Sequence, residues 1–124
     1  MALNLAQKYK SKLILITCIE RINGSWFGQD LTPAYQKEVK KHKDKVLHEM
    51  AKLESISKKK KIAMTSKIFV TDSTVKRIIS FTKSNKIDLI VMGSHGRTGI
   101  NKLILGSIAN GVIQSSKIPV LVVR

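Results

Sequence analysis

The sequence predicts an α/β fold, a doubly wound parallel sheet, from three observations. Short apolar runs at residues 13–19, 88–92 and 120–123 have the length and composition of buried strands. Segments with helical periodicity separate these runs, and such alternation gives parallel strands joined by right-handed crossovers. A length of 124 residues suits one hydrophobic core, so residues 1–124 are predicted to form a single domain.

The first half of the chain predicts a short helix, a buried strand and a long helix. Residues 2–9 have helical spacing, and the apolar run at 13–19 is rich in β-branched residues. The long helix begins at Pro33, with Thr32 as its N-cap, and ends at the four lysines of residues 58–61. Its lysines lie mostly on one face. The opposite, apolar face consists of Tyr35, Val39, His42, Val46, Met50 and Leu53.

The second half predicts two further helices and three strands, one of which is the apolar run at residues 88–92. Residues 62–70 alternate loosely, as a strand near a sheet edge would. Residues 72–74 offer N-caps for a third helix, and residues 101–105 are expected to form a short helical turn. A last helix starts at Ser107, and a last strand covers residues 120–123. The side chains predicted to face inward on the two helices are Val75, Ile78, Ile79 and Thr82, and Ile108, Val112 and Ile113.

The charge of the chain predicts an attraction to anions. The 23 basic and 8 acidic residues give a net charge of +15. Four arginines and six aromatic residues are too few for the composition of a sequence-specific nucleic-acid reader. No apolar run reaches the roughly 18 residues of a membrane span, and residues 1–10 do not resemble a signal peptide. Cys18 is the sole cysteine, which excludes an internal disulfide and fits a cytoplasmic protein.

A glycine loop follows the apolar run at residues 88–92. Gly93 and Gly96 come directly after the predicted strand, and Gly106 and Ser107 precede the last helix. Glycines let the backbone approach an anion, and a helix N-terminus supplies unpaired N–H groups with a partial positive charge. Because ligands bind at the carboxyl ends of parallel strands, this loop is the predicted phosphate site. The alternative is that the glycines only turn the chain.

The spacing Gly-x2-Gly-x9-Gly-Ser, at Gly93, Gly96, Gly106 and Ser107, resembles the nucleotide loop of the universal stress protein family. The likeness is strongest over residues 87–124 and weaker over the rest of the chain. It implies a sheet of order 3-2-1-4-5 and a stress-response module that binds ATP or another adenine nucleotide, with or without Mg²⁺. The nucleotide-binding residues that the resemblance implies are Cys18, Met92, Gly93, His95, Gly96, Arg97, Gly106, Ser107 and Ile108.

The resemblance also suggests roles for these residues. The backbone at Met92 and Gly93 meets ribose and base, and the later glycines with the start of the last helix bind phosphates. His95 donates to a phosphate or is a solvent-facing loop residue. Arg97 reaches the γ-phosphate or only adds positive charge. Cys18 lines the adenine pocket or is a plain buried thiol.

Assembly through the last strand is a further implication of the resemblance. In relatives this strand pairs antiparallel with its copy across a two-fold axis, at the edge of the sheet. Four consecutive apolar β-formers would be an aggregation hazard as an open edge, and an isologous contact covers both edges at once. We therefore expect a homodimer whose centre is formed by Val120, Leu121, Val122 and Val123.

The chain departs from the family pattern at its start. Family members open with a central strand that ends in an aspartate, whereas residues 1–12 here align with the helix that follows that strand. Without that central strand, the strands at 13–19 and 88–92 lose the neighbour that lies between them in the family. They then pair directly or receive a strand from another chain, because buried strands keep their N–H and C=O groups paired. Selectivity for adenine is expected to weaken more than phosphate binding.

Catalysis is not expected. Ser94 or Ser107 with His95 would need an orienting carboxylate, and no acidic residue follows Asp88, although slow hydrolysis of ATP is not excluded. The alternatives to a nucleotide-binding module are a ligand-free interaction scaffold with a structural glycine loop, and a nonspecific polyanion binder. A metal site of the protein alone is not predicted, because no cluster of His, Cys and Asp accompanies His95.

Overall fold

The computed structural model describes residues 1–20, 33–94 and 105–124, in two compact units, Met1–Val70 and Thr71–Arg124. The helices are α1 (Ala2–Tyr9), α2 (Pro33–Lys59), α3 (Thr74–Ser84) and α4 (Ser107–Ser115). The strands are β1 (Leu13–Glu20), β2 (Met64–Thr71), β3 (Ile90–Gly93) and β4 (Val120–Val123). The α/β class is thereby confirmed, whereas the single domain over residues 1–124 stays a prediction.

The strands form two two-stranded sheets, β1 with β2 and β3 with β4. Within residues 1–20 the chain starts with α1, and β1 is the first strand. The predicted turn at residues 101–105 lies outside the described residues except for Leu105.

In the first unit, the 27-residue helix α2 buries one face over its second half, from Val46 to Ser57. Val46 is 1% exposed and Met50 is 5% exposed, four residues further along the same stripe. Ser57 continues this buried face, and its hydroxyl donates to the carbonyl of Glu54 at 2.7 Å. His42, predicted on this face, is exposed, because it lies at the margin of the stripe where a polar ring keeps its hydration. The side chains of residues 35 and 39 lie outside the described part of the chain.

Three helices end in the same way, with a lysine in the left-handed region. Lys10, Lys61 and Lys86 have φ of 53°, 58° and 52° and follow α1, α2 and α3. In each case the amide of the next residue donates back five residues into the helix: Ser11 to Ala6 at 2.9 Å, Ile62 to Ser57 at 2.8 Å, and Ile87 to Thr82 at 3.1 Å. This is the Schellman arrangement, in which glycine is the usual left-handed residue.

In the second unit, β3 and β4 run parallel, with Ile90 opposite Val120 and Gly93 opposite Val123. β3 begins later than predicted. Asp88 and Leu89 are exposed, and the ladder starts where the Ile90 amide donates to the carbonyl of Pro119 at 3.1 Å. The predicted strand was too long at this end. The prediction relied on the apolar side chain of residue 89, whereas a strand also needs a backbone hydrogen-bond partner.

α3 and α4 pack on one another through a glycine. A Cβ built on Gly111 of α4 would lie 2.8 Å from Cγ2 of Val75 on α3, so the close approach requires a residue without a side chain. α3 begins after Ser73, whose hydroxyl accepts a hydrogen bond from the Lys76 amide at 3.3 Å, as the predicted N-cap region requires.

α4 turns a narrower face inward than predicted. Ala109 and Val112 are buried, and Val112 is 0% exposed. Ile108 and Ile113, predicted to face inward with Val112, are exposed. At about 100° per residue they lie roughly 70° to either side of the Ala109–Val112 stripe, so they border the core instead of entering it.

Candidate functional site

The candidate site is the junction at which β3 ends and α4 begins. The Gly106 amide donates to the carbonyl oxygen of Ser94 at 2.7 Å, and the Ser94 amide donates to the carbonyl of Val123 at 2.8 Å. These two hydrogen bonds connect the residue after β3 both to the end of β4 and to the residue before α4. The two ends of the glycine loop are therefore held together at the carboxyl end of a parallel strand, where the sequence predicted a ligand site.

The N-terminus of α4 has amides available for an anion. Gly106 is its N-cap, and it provides no side-chain hydrogen bond. The first intrahelical bond joins the Asn110 amide to the Gly106 carbonyl at 2.9 Å, so the amides of residues 107–109 have no acceptor within the helix. The first turn holds no acidic residue. The helix dipole therefore presents its positive end with no carboxylate of that turn to neutralise it.

Gly106 contributes through its missing side chain. Its φ of −60° and ψ of 151° are open to any residue, so the backbone does not require glycine there. Its own amide is engaged with Ser94. A serine, aspartate or asparagine at this position would cap the helix and occupy the amides at 108 or 109. With glycine there, the amides of residues 107–109 keep no acceptor within the helix, and these are the candidate donors to a phosphate.

The structure places several of the other predicted site residues. Met92 and Gly93 are the last two residues of β3, opposite Val122 and Val123. Met92 is half-buried and Gly93 is exposed. His95, Gly96 and Arg97 lie outside the described residues, and their predicted roles stay predictions.

Cys18 belongs to the other unit, Met1–Val70. It lies within β1, is half-buried and forms no disulfide. Its predicted place in an adenine pocket stays a prediction.

Sequence reasoning missed Ser94 as a structural part of the site. It is buried, and its backbone forms both hydrogen bonds of the junction. The sequence did contain one indication, a polar residue directly after the glycine that ends the strand. If such a serine is buried, it needs hydrogen-bond partners from neighbouring segments of the chain.

Neither a metal centre nor a membrane span occurs in the described part of the chain. Residues 1–20, 33–94 and 105–124 contain no group of three or more His, Cys, Asp or Glu side chains able to hold a metal ion. Over the same ranges, no helix combines the length and apolar character that crossing a membrane requires.

The fold defines an α/β protein in which the chain passes from the parallel strand β3 through a glycine-containing segment to α4. The sequence model of the universal stress protein family matches residues 1–124, and the chain belongs to this family. It is similar to the universal stress protein MJ0531 of Methanocaldococcus jannaschii, 49% identical over 47 residues, which cover 38% of this chain and 28% of that protein. It is also similar to the universal stress protein YxiE of Bacillus subtilis, 38% identical over 87 residues, which cover 70% of this chain and 56% of the relative.

The solved structures support the fold. The structure of MJ0577, from a study of structure-based assignment of biochemical function, superimposes with a TM-score of 0.80 at 24% identity. The superposition covers 98% of this chain and 84% of MJ0577. The curated relatives match over a smaller share of their length, 28% and 56% for the two relatives above.

Proposed function

We propose that the chain binds the phosphates of an adenine nucleotide, ATP in particular, at the β3–α4 junction. The observation that carries the proposal is the 2.7 Å hydrogen bond from the Gly106 amide to the Ser94 carbonyl, which fixes the start of α4 beside the end of β3. This arrangement leaves the amides of Ser107 and Ile108 facing no acceptor of their own helix. Resemblance to the nucleotide-binding branch of the universal stress protein family suggests the adenine nucleotide.

The charge of the unit supports an anionic ligand. The stretch Thr71–Arg124 contains eight basic and two acidic residues. The positive potential of such a stretch raises the local concentration of a polyanion such as a nucleotide triphosphate and speeds its association. Affinity is expected to fall in the order ATP, ADP, AMP, because each phosphate adds charge next to the helix N-terminus.

Base selectivity is proposed to be weak. The donors that the proposal uses at the junction are backbone amides, because the N-cap Gly106 provides no side-chain hydrogen bond. Phosphate recognition by backbone amides is the same for every nucleotide, whereas base recognition needs side chains with a specific pattern of donors and acceptors. We expect ATP and GTP to bind with similar affinity.

Binding without efficient turnover is the proposed mode of action. Hydrolysis needs a positioned water and a metal held over the phosphates, and Asp88 is the last acidic residue of the chain. Asp88 is exposed and precedes β3. It thus lies at the amino end of the strand whose carboxyl end forms the junction.

Dimerisation through β4 is the second part of the proposal. β4 is hydrogen-bonded to β3, and its own two-stranded sheet offers it no second neighbour. Leu121 is 37% exposed, and Val120, Val122 and Val123 are half-buried. An antiparallel pairing with the β4 of a second copy would satisfy the free edge by an isologous contact.

Isothermal titration with ATP, ADP, AMP and GTP tests the nucleotide proposal. Binding that weakens with each phosphate removed, and changes little between ATP and GTP, is the expected result. Silence with all four nucleotides would favour the ligand-free scaffold. Binding that depends steeply on salt, without preference for the base or for the number of phosphates, would favour the polyanion binder.

A further inference from the structure

We propose that the outer face of α2 binds the phosphodiester backbone of nucleic acid, independently of the β3–α4 junction. This face, the basic ridge, consists of Lys37, Lys40, Lys41, Lys45, Lys52, Lys58 and Lys59.

The helical geometry gathers these lysines on one side. At about 100° per residue, seven of the eight lysines of α2 fall within an arc of about 140°. All seven are exposed. The buried residues Val46 and Met50 lie on the opposite side of the helix. Because the apolar stripe is packed inward, the basic ridge must face away from the core of its unit.

The length and charge of the basic ridge suit a nucleic-acid backbone. From Lys37 to Lys59 the helix rises about 33 Å, close to one turn of B-DNA at about 34 Å. Asp44 is the one acidic residue within the arc, so the ridge keeps a net charge of +6. Duplex DNA carries about one negative charge per 1.7 Å of axis, which gives every lysine along this length a phosphate to meet.

The residue types favour phosphate over the other partners of a basic surface. A helix that lies on a membrane inserts its apolar face, and Val46, Met50 and Leu53 on the apolar face of α2 are already buried or half-buried. Protein interfaces are depleted in lysine and anchored by aromatic residues and arginine, and the basic ridge has neither. Lysine is a compact point charge that contacts phosphate without reading bases. The inferred binding is therefore independent of sequence.

The experiment compares two variants that lose the same charge. The ridge variant carries Lys37→Gln, Lys41→Gln, Lys45→Gln and Lys52→Gln. The control variant carries Lys12→Gln, Lys76→Gln, Lys83→Gln and Lys117→Gln, all at exposed positions outside α2. Glutamine keeps helix propensity close to that of lysine, so α2 should stay folded. Fluorescence anisotropy with a labelled random-sequence DNA duplex then gives the affinity of each protein over a series of salt concentrations.

The expected result is a loss confined largely to the ridge variant. Its affinity should fall at least about tenfold at moderate salt, and its slope of log affinity against log salt should decrease by about 3 to 4. The logarithm of the affinity should fall less than about half as much in the control variant. Its loss comes only from the lower net charge of the whole protein. If the fourfold ridge variant unfolds, Lys41→Gln with Lys45→Gln should give about half the change in slope.

Three outcomes would overturn the proposal. Equal losses in both variants would assign the effect to net charge and not to α2. If the wild-type protein shows no salt-dependent binding to the duplex, nucleic acid is not the partner of the basic ridge. Binding to phosphatidylserine vesicles without binding to the duplex would assign the basic ridge to a membrane surface.

Discussion

The Gly106 amide and the Ser94 carbonyl are joined by a hydrogen bond of 2.7 Å across the ends of the glycine loop. The bond holds the first turn of α4 at the end of β3, so it fixes the positions of the Ser107 and Ile108 amides. It also uses the one donor that Gly106 has. The family resemblance implied phosphate contacts at Gly106, Ser107 and Ile108. Because the Gly106 amide is engaged with Ser94, the proposed site relies on the amides that follow it.

Replacing Gly106 by aspartate should abolish phosphate binding and keep the fold. The carboxylate would cap α4, accept hydrogen bonds from the amides at 108 or 109, and place a negative charge where the phosphate lies. Capping should raise the free energy of unfolding by about a few tenths of a kcal/mol, because glycine is itself a tolerated N-cap. Titration calorimetry and denaturant unfolding measure the two effects.

Gly106→Asn is the matched control, with the same shape and no charge. It should cap the helix equally and weaken ATP binding less than aspartate does. Wild-type affinity for ATP in Gly106→Asp would show that the junction is not the phosphate site.

Gly111→Ala should destabilise the second unit in spite of its better helix propensity. Alanine gains about 1 kcal/mol in a helix interior, but its Cβ would lie 2.8 Å from Val75, and overpacking costs about 1–3 kcal/mol. In a Val75→Ala background the clash disappears, so the same substitution should become stabilising. Urea unfolding of the four proteins measures this double-mutant cycle. The same stabilisation in both backgrounds would contradict the close packing of α3 on α4.

Glycine in place of the left-handed lysines should stabilise the protein. Lys61→Gly removes the strain of a Cβ at φ 58°, with an expected gain of about 0.5–1 kcal/mol in the free energy of unfolding. Lys10→Gly and Lys86→Gly should behave alike. Lys45→Gly, which removes the same charge from the interior of α2, should cost about 1 kcal/mol. A loss of stability in Lys61→Gly would show that the left-handed conformation is not the one populated in solution.

Disruption of the β4 edge should give monomers. Leu121→Lys places a charge on the exposed face of β4 and Val122→Lys on its half-buried face, and both would face like charges across the two-fold axis. Sedimentation should show a dimer for the wild-type chain at micromolar concentration and a shift toward monomer for both variants. Val70→Lys, at an exposed valine of β2, serves as the control and should stay dimeric. A well-folded wild-type monomer at that concentration would refute the assignment.

Local pattern predicted the order and type of the described elements, because each depends on periodicity and capping over a few residues. The start of α2 at Pro33 and the capping of α3 by Ser73 are examples. The pattern was less informative about ends and margins. The start of β3 depends on the amide of Ile90 finding the carbonyl of Pro119, which is 29 residues away in the sequence.

Tertiary contacts were beyond the reach of local pattern. Glycine inside a helix is unfavourable, and at Gly111 the close approach of Val75 explains its presence. The lysines at 10, 61 and 86 occupy positions where glycine would have signalled the end of a helix. At the candidate site, the glycine spacing predicted the location of the junction. Only the structure shows that the Gly106 amide is engaged, because its hydrogen-bond partner is the carbonyl of Ser94.

The most direct test of phosphate binding at the β3–α4 junction is an amide-resolved NMR titration with ATP. The amide resonances of Ser107 and Ile108 should move most, and downfield, because they gain a charged acceptor. The Gly106 amide should move less, since it keeps its hydrogen bond to Ser94. Unchanged Ser107 and Ile108 resonances at saturating ATP would contradict the proposed site.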